Sequence, residues 1–319
     1  MLTLYSRAPS GGLGFVAGEV SAPDDPRVLW VDLFNPTEDE ERHVEGALKL
    51  DVPAPRERVG EEESARFYEE DGALFLTATL LGRREDGPFI SDAVTFILKD
   101  GKLVTVRTIR PRSFDLGQGR ASARVDAAKT GADALTALLA GTVERLADLI
   151  AETRRAARDL SVDIFAEKGD APPLRATLTR LGRLGTTTAL IQDSLASLQR
   201  LALYAEQVCP NHNLPTAAFK ALQLDTQELE RNASALETHL NLLQEGALGL
   251  VGATQAETLK ALALATIAFV PPTLVASIFG MNFAHMTWFN TPWGPWVGFA
   301  LMLAAPAALF ALARWRGWF

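Results

Sequence analysis

Cysteine is almost absent from this chain, because its 319 residues include only Cys209. A disulfide needs two thiols, so none can form within one chain, and such a composition is typical of a reducing compartment. The first twelve residues, MLTLYSRAPSGG, lack a charged segment followed by a long apolar core. We therefore expect no signal peptide.

Acidic residues are missing from the C-terminal part of the chain. From Thr258 onwards the charged residues are Lys260, Arg314 and Arg316, and all three are basic. Since the whole chain has a net charge of −8, the preceding part carries −11. An acidic surface concentrates cations and does not suit binding to nucleic acid. We therefore expect an acidic soluble part joined to a slightly basic apolar tail, with no nucleic-acid partner.

Groups of side chains that support catalysis are also lacking. No arrangement of serine, cysteine and histidine indicates a nucleophile with its base. The four histidines lack the paired spacing of a zinc site: they are His43, His212, His239 and His285. We predict that the protein is not an enzyme and needs no cofactor.

Residues 1–125 have the pattern of a mixed α/β domain. The run VLWVDL, residues 28–33, is rich in strand-forming residues, and three further strand-like runs follow. A helix is predicted after the first run, capped by Asn35 or Thr37, with acids in its first turn. Asp100-Gly101 separates two of the strands and predicts a hairpin, because a tight turn there needs positive φ. We expect a cytoplasmic α+β domain with an antiparallel-rich mixed sheet.

Helical periodicity dominates the next part of the chain, residues 126–215. Apolar residues recur at intervals of three and four, which predicts two long cytoplasmic helices at 126–168 and 172–207. The run VCPNHNLP at 208–215 is predicted to be a loop. A third helical segment follows, and its residues 216–260 are predicted to form a stalk leading into a membrane.

Two uncharged runs lie near the C-terminus of this chain, whose hydrophobic content is 48%. Residues 261–283 and 293–313 are each long enough to cross a hydrocarbon core of about 30 Å. The loop between them, residues 284–292, has no lysine or arginine, whereas a basic tail follows at residues 314–319. The positive-inside rule then places both termini in the cytoplasm and the loop outside. We expect a multi-pass protein of the cell (inner) membrane, in contact with membrane lipids.

One face of the predicted stalk and first span carries a row of largely small and polar residues, which we call the stripe. Its steps are three and four residues, and its members are Leu248, Gly252, Ala256, Leu259, Ala263, Thr266, Val270, Thr273 and Ser277. Either this face lines a water-filled path, or the hydroxyls bond to carbonyls of their own helix and pack small faces together. One helix cannot enclose a pore, so a path requires several subunits around a symmetry axis.

Two further features flank the stripe. Pro271-Pro272 lies inside the span and predicts a kink, because proline removes backbone donors. Glu245, before the span, either forms a ring of carboxylates in an oligomer or lies on a solvated helix surface.

The sequence LKALALATIAFVPPTLVASIFGMNF, with the second span after it, resembles the CorA family of divalent-cation channels. Gly280-Met281-Asn282 matches the signature tripeptide of that family, and Pro271 and Thr273 match its proline-x-threonine pattern. The N-terminal runs WVDLFNPTEDEE and VTFILKDGKLVTVRT also resemble its cytoplasmic domain. The resemblance covers nearly the whole chain.

The resemblance implies a funnel-shaped homopentamer that passes Mg²⁺, together with Co²⁺ or Ni²⁺. Five copies of Asn282 would form the outer mouth and contact the hydration shell of the ion, while Gly280 and Met281 hold the turn. Mg²⁺ loses water reluctantly, so neutral oxygens that bind its hydration shell suit this role. Thr273 would line the pore lower down, and Leu259 and Leu262 fall at positions of its hydrophobic gate. With the stripe, this predicts a pore lining of Leu248, Gly252, Thr266, Val270, Thr273 and Ser277.

Two positions and the outer loop depart from the family pattern. Ala256 stands where many members have asparagine, Leu259 replaces a gate methionine, and the outer loop has no acid. The resemblance extends to the related ZntB branch, which handles zinc, so zinc transport linked to protons is an alternative. An alternative of another class is a membrane-anchored sensor or scaffold, in which the two spans only tether the acidic domain.

Overall fold

A computed structural model describes most of the chain, in two compact units: Met1–Gln244 and Glu245–Phe319. The first unit contains a β-sheet with helices, and the second contains the apolar C-terminal segments. The described residues are 1–7, 13–15, 22–53, 66–83, 88–114, 124, 127–166, 174–212, 214–281 and 292–316.

Seven strands within the described residues form one sheet in the order β2-β1-β3-β7-β6-β5-β4. Neighbouring strands are antiparallel except for β3 and β7, which are parallel. The predicted mixed, antiparallel-rich sheet is therefore confirmed. The strands are β1 Leu2–Arg7, β2 Leu13–Phe15, β3 Val28–Phe34, β4 Phe67–Glu70, β5 Ala73–Arg83, β6 Phe89–Lys99 and β7 Lys102–Arg107.

The predicted hairpin joins β6 to β7. Asp100 and Gly101 have φ values of 48° and 76°, the left-handed conformation that a tight primed turn requires. Lys99 pairs with Lys102 on either side of the turn, so the hairpin loop has two residues. Helix α1, Glu38–Leu48, is capped by Thr37, since the Thr37 hydroxyl accepts a hydrogen bond from the backbone N–H of Glu40.

A buried ion pair joins the two parallel strands. The guanidinium of Arg107 on β7 donates to both carboxylate oxygens of Asp32 on β3, over 2.9 and 2.7 Å. Thr105 donates to the same carboxylate over 2.7 Å, and Arg107 also donates to the carbonyl of Ile109 over 2.8 Å. Every partner in this network lies inside the first unit, so neither buried charge lacks compensation.

Aromatic side chains extend this buried network. Tyr5 stacks on Trp30 with ring centroids 4.1 Å apart, and the indole N–H of Trp30 donates to Thr105. Burial, assisted by the nearby Asp32 carboxylate and opposed by Arg107, raises the pKa of Tyr5 to about 12. The phenol therefore stays neutral, as its apolar surroundings require.

Two long helices follow the sheet: α2, Gly131–Phe165, and α3, Leu174–His212. Helix α2 begins against the β6–β7 hairpin, where the N–H of Gly131 donates to the carbonyl of Gly101 over 2.7 Å. Helix α3 continues through Pro210 to His212, so the prediction of a loop from residue 208 was wrong for its first residues. The physical reason is burial, since Cys209 in this last turn is 1% exposed.

The last two helices are α4, Thr216–Gly280, and α5, Gly294–Trp315. Helix α4 begins in the first unit, ends in the second, and has no break at Pro271 and Pro272. Both helices are long and apolar enough to cross a membrane. Together with the sheet, these helices confirm the predicted fold class.

Candidate ion-conducting site

The stripe lies on the side of α4 that α5 does not cover. From residue 261 to its end, the half-buried residues of α4 follow a different face, made of Leu264, Ile267, Pro271, Pro272, Val275 and Phe279. At about 100° per residue, the centre of that face is roughly 140° away from the centre of the stripe. The stripe is therefore open along its length within the second unit.

The facing side of α5 is made largely of small residues. Its buried or half-buried members are Gly294, Gly298, Met302, Ala305, Pro306 and Ala313. Contact between the two helices is direct at Gly298, where a Cβ would lie 2.8 Å from a ring atom of Phe279. Small residues let two membrane helices approach closely, which accounts for this composition.

Side chains of the predicted pore are exposed in the single chain. Leu259 is 65% exposed and Leu262 is 64% exposed, so no other described element covers the predicted gate. A Cβ at Gly252 would meet no atom within 4 Å. The remaining predicted pore and ring residues that the structure describes are also exposed, namely Glu245, Leu248, Thr266, Val270, Thr273 and Ser277.

The threonine hydroxyls of the stripe donate to their own helix. Thr266 donates to the carbonyl of Leu262 over 2.9 Å, and Thr273 donates to the carbonyl of Phe269 over 2.6 Å. Each hydroxyl proton is bonded in this way, and each hydroxyl oxygen can still accept a hydrogen bond. Water bound to a cation donates hydrogen bonds outward, so such oxygens suit a hydrated ion. Hydroxyl back-bonding and a polar lining are thus compatible.

The signature tripeptide lies at the end of α4. Gly280 is the last residue of the helix, and the N–H of Met281 donates to the carbonyl of Ile278 over 3.3 Å. Met281 is 55% exposed. Asn282 lies outside the described residues, as does most of the predicted outer loop, so its role at the mouth stays a prediction.

Carboxylates in the first unit line a cleft between α2 and the start of α4. Its volume is about 640 Å³, and its lining includes Asp133, Glu144, Asp225 and Glu228. Arg124 pairs with Glu144 over 2.8 Å. Among the described residues, no three His, Cys, Asp or Glu side chains are grouped so that they could hold a metal ion.

Residues 25–315 match the model of the CorA-like Mg²⁺ transporter protein family. The chain belongs to this family. The match includes five of the seven described strands, β3 to β7, both long helices α2 and α3, and both apolar helices, so the family resemblance seen in the tripeptide is confirmed over most of the chain. The family is one of transporters.

Curated relatives and solved structures agree with the CorA assignment. The chain is 29% identical over 300 residues to the magnesium transport protein CorA of Wolinella succinogenes, covering 90% of this chain and 91% of the relative. It matches the complete structure of the CorA magnesium transporter from Methanocaldococcus jannaschii with a TM-score of 0.72 and 16% identity, over 100% of this chain and 99% of the other. The structure of the ZntB cytoplasmic domain from Vibrio parahaemolyticus matches with a TM-score of 0.57 and 12% identity, over 79% of this chain and 98% of the other.

Gly298 is a residue beside the candidate site that sequence reasoning missed. The signal was present, because Gly294 and Gly298 have the GxxxG spacing of close helix contacts in membranes. That spacing predicts a contact but does not identify the partner. Phe279 becomes visible as the partner only when α5 is placed beside α4.

Proposed function

We propose that this chain forms a homopentameric membrane channel for divalent cations, with Mg²⁺ as the principal ion. The observation that carries the proposal is the uncovered stripe in a chain of the CorA-like family. Polar side chains in a membrane helix are normally directed to a bundle interior or a water-filled cavity. Several copies of α4 around an axis provide that interior, with α5 on the outside.

Selection of the ion is assigned to five copies of Asn282, presented by Gly280 and Met281. Amide oxygens are neutral acceptors, so they bind the hydration shell of Mg²⁺ without stripping or trapping the ion. Below this mouth the exposed oxygens of Thr266 and Thr273 continue the line of acceptors. The hydrated ion thus meets neutral oxygen acceptors both at the mouth and further along the path.

The gate is assigned to Leu259 and Leu262. Both are apolar and exposed in the single chain, so a ring of five copies would form a narrow apolar constriction. Such constrictions stop ions by excluding water. Glu245 lies before the gate and, in five copies, would attract cations on the cytoplasmic side.

Charge and aromatic placement support a topology with both termini in the cytoplasm. Lys260 precedes the first span, and Arg314 and Arg316 follow or end the second. Trp293 and Trp315, at opposite ends of α5, are 75% and 83% exposed. Tryptophans at both ends of a span are typical of the two membrane interfaces, here of the cell inner membrane.

Uptake of Mg²⁺ into proteoliposomes tests the proposal. Asn282→Ala removes the amide from every subunit, so we expect Mg²⁺ uptake to fall by at least about tenfold while the oligomer persists. The matched control is Asn232→Ala, which removes a half-buried amide, bonded to Arg154, on the part of α4 in the first unit. Unchanged uptake in Asn282→Ala would overturn the mouth assignment.

Proton-linked zinc transport is the second candidate, favoured by Leu259 and by the acid-free loop. Zinc flux measured with and without a pH gradient separates the two candidates, because only coupled transport needs the gradient. Native mass spectrometry in detergent tests the pentamer itself. A monomer or dimer would leave no way to enclose a path and would support the sensor or scaffold alternative.

A further inference from the structure

A close approach between the two apolar helices lies beside the signature tripeptide. A Cβ built on Gly298 of α5 would lie 2.8, 3.1 and 3.2 Å from three ring atoms of Phe279 on α4. Real Cβ atoms are essentially never as close as the first distance, so any side chain at 298 must displace the ring. Gly298 is buried and Phe279 is half-buried, so the contact is an internal one.

The position of Phe279 gives this contact its significance. Phe279 immediately precedes Gly280, the first residue of the tripeptide and the last residue of α4. A Cβ built on Gly280 would meet no atom within 4 Å, so the space beside that residue is open in the Cβ direction. The ring of Phe279, seated on the backbone of α5, is the neighbouring support.

Helix energetics alone do not explain a glycine at 298. In a helix interior glycine costs about 1 kcal/mol relative to alanine, so alanine would be the better residue if space allowed it. The glycine is explained by the close approach of the ring. Its conformational cost is offset by the packing of an aromatic side chain against α5.

We propose that Gly298 is a positioning residue for the ion-selecting turn. By accepting the ring of Phe279 it fixes the end of α4, and so fixes where the chain leaves the helix toward Asn282. Hydrogen bonds to the hydration shell of an ion need donor–acceptor distances of about 2.5–3.0 Å. A shift of the helix end by a few tenths of an ångström in each subunit therefore weakens ion capture at the mouth. This inference rests on the proposed function of Asn282.

The decisive variant is Gly298→Ala, which improves helix propensity while adding the clashing methyl group. We expect the oligomer and its melting temperature to be retained and the apparent KM for Mg²⁺ uptake to rise about five- to tenfold. If Gly298 affected only helix stability, Gly298→Ala would leave the apparent KM unchanged and the melting temperature equal or higher. Gly185→Ala is the matched control, because a Cβ at that helical glycine in the first unit meets no atom within 4 Å.

Relief of the clash provides the second arm of the experiment. Phe279→Leu shortens the side chain and so relieves the clash. The double variant Gly298→Ala, Phe279→Leu should therefore reverse most of the rise in KM that Gly298→Ala causes. An unchanged KM in Gly298→Ala, or an equal effect of the alanine in both backgrounds, overturns the positioning role.

The Asn282→Ala variant in the same assay separates this inference from the proposed function. If the unsubstituted protein carries Mg²⁺, Asn282→Ala abolishes uptake and Gly298→Ala is unaffected, only the positioning role fails. If Asn282→Ala leaves uptake intact, the mouth assignment fails and the positioning role fails with it.

Discussion

Tryptophan occupies opposite environments in the two units of this molecule. Trp30 in the first unit has no exposed surface, whereas Trp293 and Trp315 in the second unit are 75% and 83% exposed. The first unit buries its large side chains within its own chain, as a water-soluble domain does. The second leaves them uncovered over long apolar helices, which requires lipid or further copies of the chain as their surroundings.

Polar groups differ between the units in the same way. In the first unit Thr77 and Thr95 bond to each other across two strands, 2.9 Å apart, and Asp32 bonds to Arg107. In the second unit Thr266 and Thr273 donate only within their own helix. Polar groups in a membrane need such partners because lipid offers none. Polar contacts in the first unit therefore join separate elements, whereas those of the two threonines in the second unit stay within one helix.

The largest effect on stability is expected from Asp32→Ala. It leaves the guanidinium of Arg107 buried without its carboxylate, and removing one partner of a buried pair costs about 3–5 kcal/mol. Urea unfolding of the full chain in detergent, followed by circular dichroism, measures the loss. Asp39→Ala is the control, because Asp39 pairs with Arg42 on the surface and its removal should cost under about 1 kcal/mol. Equal losses in both variants would contradict the buried network.

A matched pair of leucine truncations should separate the two units directly. Leu33→Ala removes a side chain with no exposed surface and should cost about 2–5 kcal/mol. Leu259→Ala removes a side chain that is 65% exposed, so its effect on unfolding should stay within about 0.5 kcal/mol. If Leu259 forms the gate, its truncation should instead raise resting Mg²⁺ uptake. A stability loss at Leu259 as large as that at Leu33 would place it in a packed core.

The smallest expected effect concerns the thiol of Cys209. Burial raises its pKa, a hydrogen bond with Thr216 opposes the rise, and Glu206 adds to it. The protonated thiol is thus favoured in the folded chain, and this contribution is present below the ordinary pKa of about 8.5. It is lost as pH rises through the higher folded value, so Cys209→Ala should lose less stability than the unsubstituted chain between pH 8 and 10.

Alkylation provides the direct measurement on Cys209, since it is the only cysteine in the sequence. Iodoacetamide at pH 8 should label the folded chain about 10–100-fold more slowly than the urea-unfolded chain, because the thiol is 1% exposed. Equal rates would show that the end of α3 opens freely in the native protein.

Features that depend on nearby residues were predictable from the sequence. Asp100-Gly101 specified its hairpin because only a few residue types adopt positive φ there. The long helices and both apolar segments followed from periodicity and from the lack of charge. Where the prediction named two caps, Asn35 or Thr37, the structure has Thr37, since Asn35 has a φ of 43° before the helix begins.

Features that depend on distant residues were not predictable in this way. Asp32 and Arg107 are 75 residues apart, and nothing in either local sequence indicates that the two will be partners. Strand β1, Leu2–Arg7, was likewise not predicted, because its role depends on pairing with β3. At the candidate site the stripe was visible in the sequence, but the side of α4 that α5 covers was not. That side depends on the packing of small residues such as Gly298 against Phe279.

The order of elements along the chain also has a consequence for synthesis. All the strands of the sheet lie before residue 108, and the apolar segments begin at residue 261. At about 5–20 residues per second, roughly 8–30 s pass between translation of these two points. The sheet therefore has time to fold, including the slow parallel pairing of β3 with β7, before the first apolar segment leaves the ribosome. A nascent chain that reaches the membrane already has a folded sheet, so insertion of α4 and α5 is a late step in its maturation.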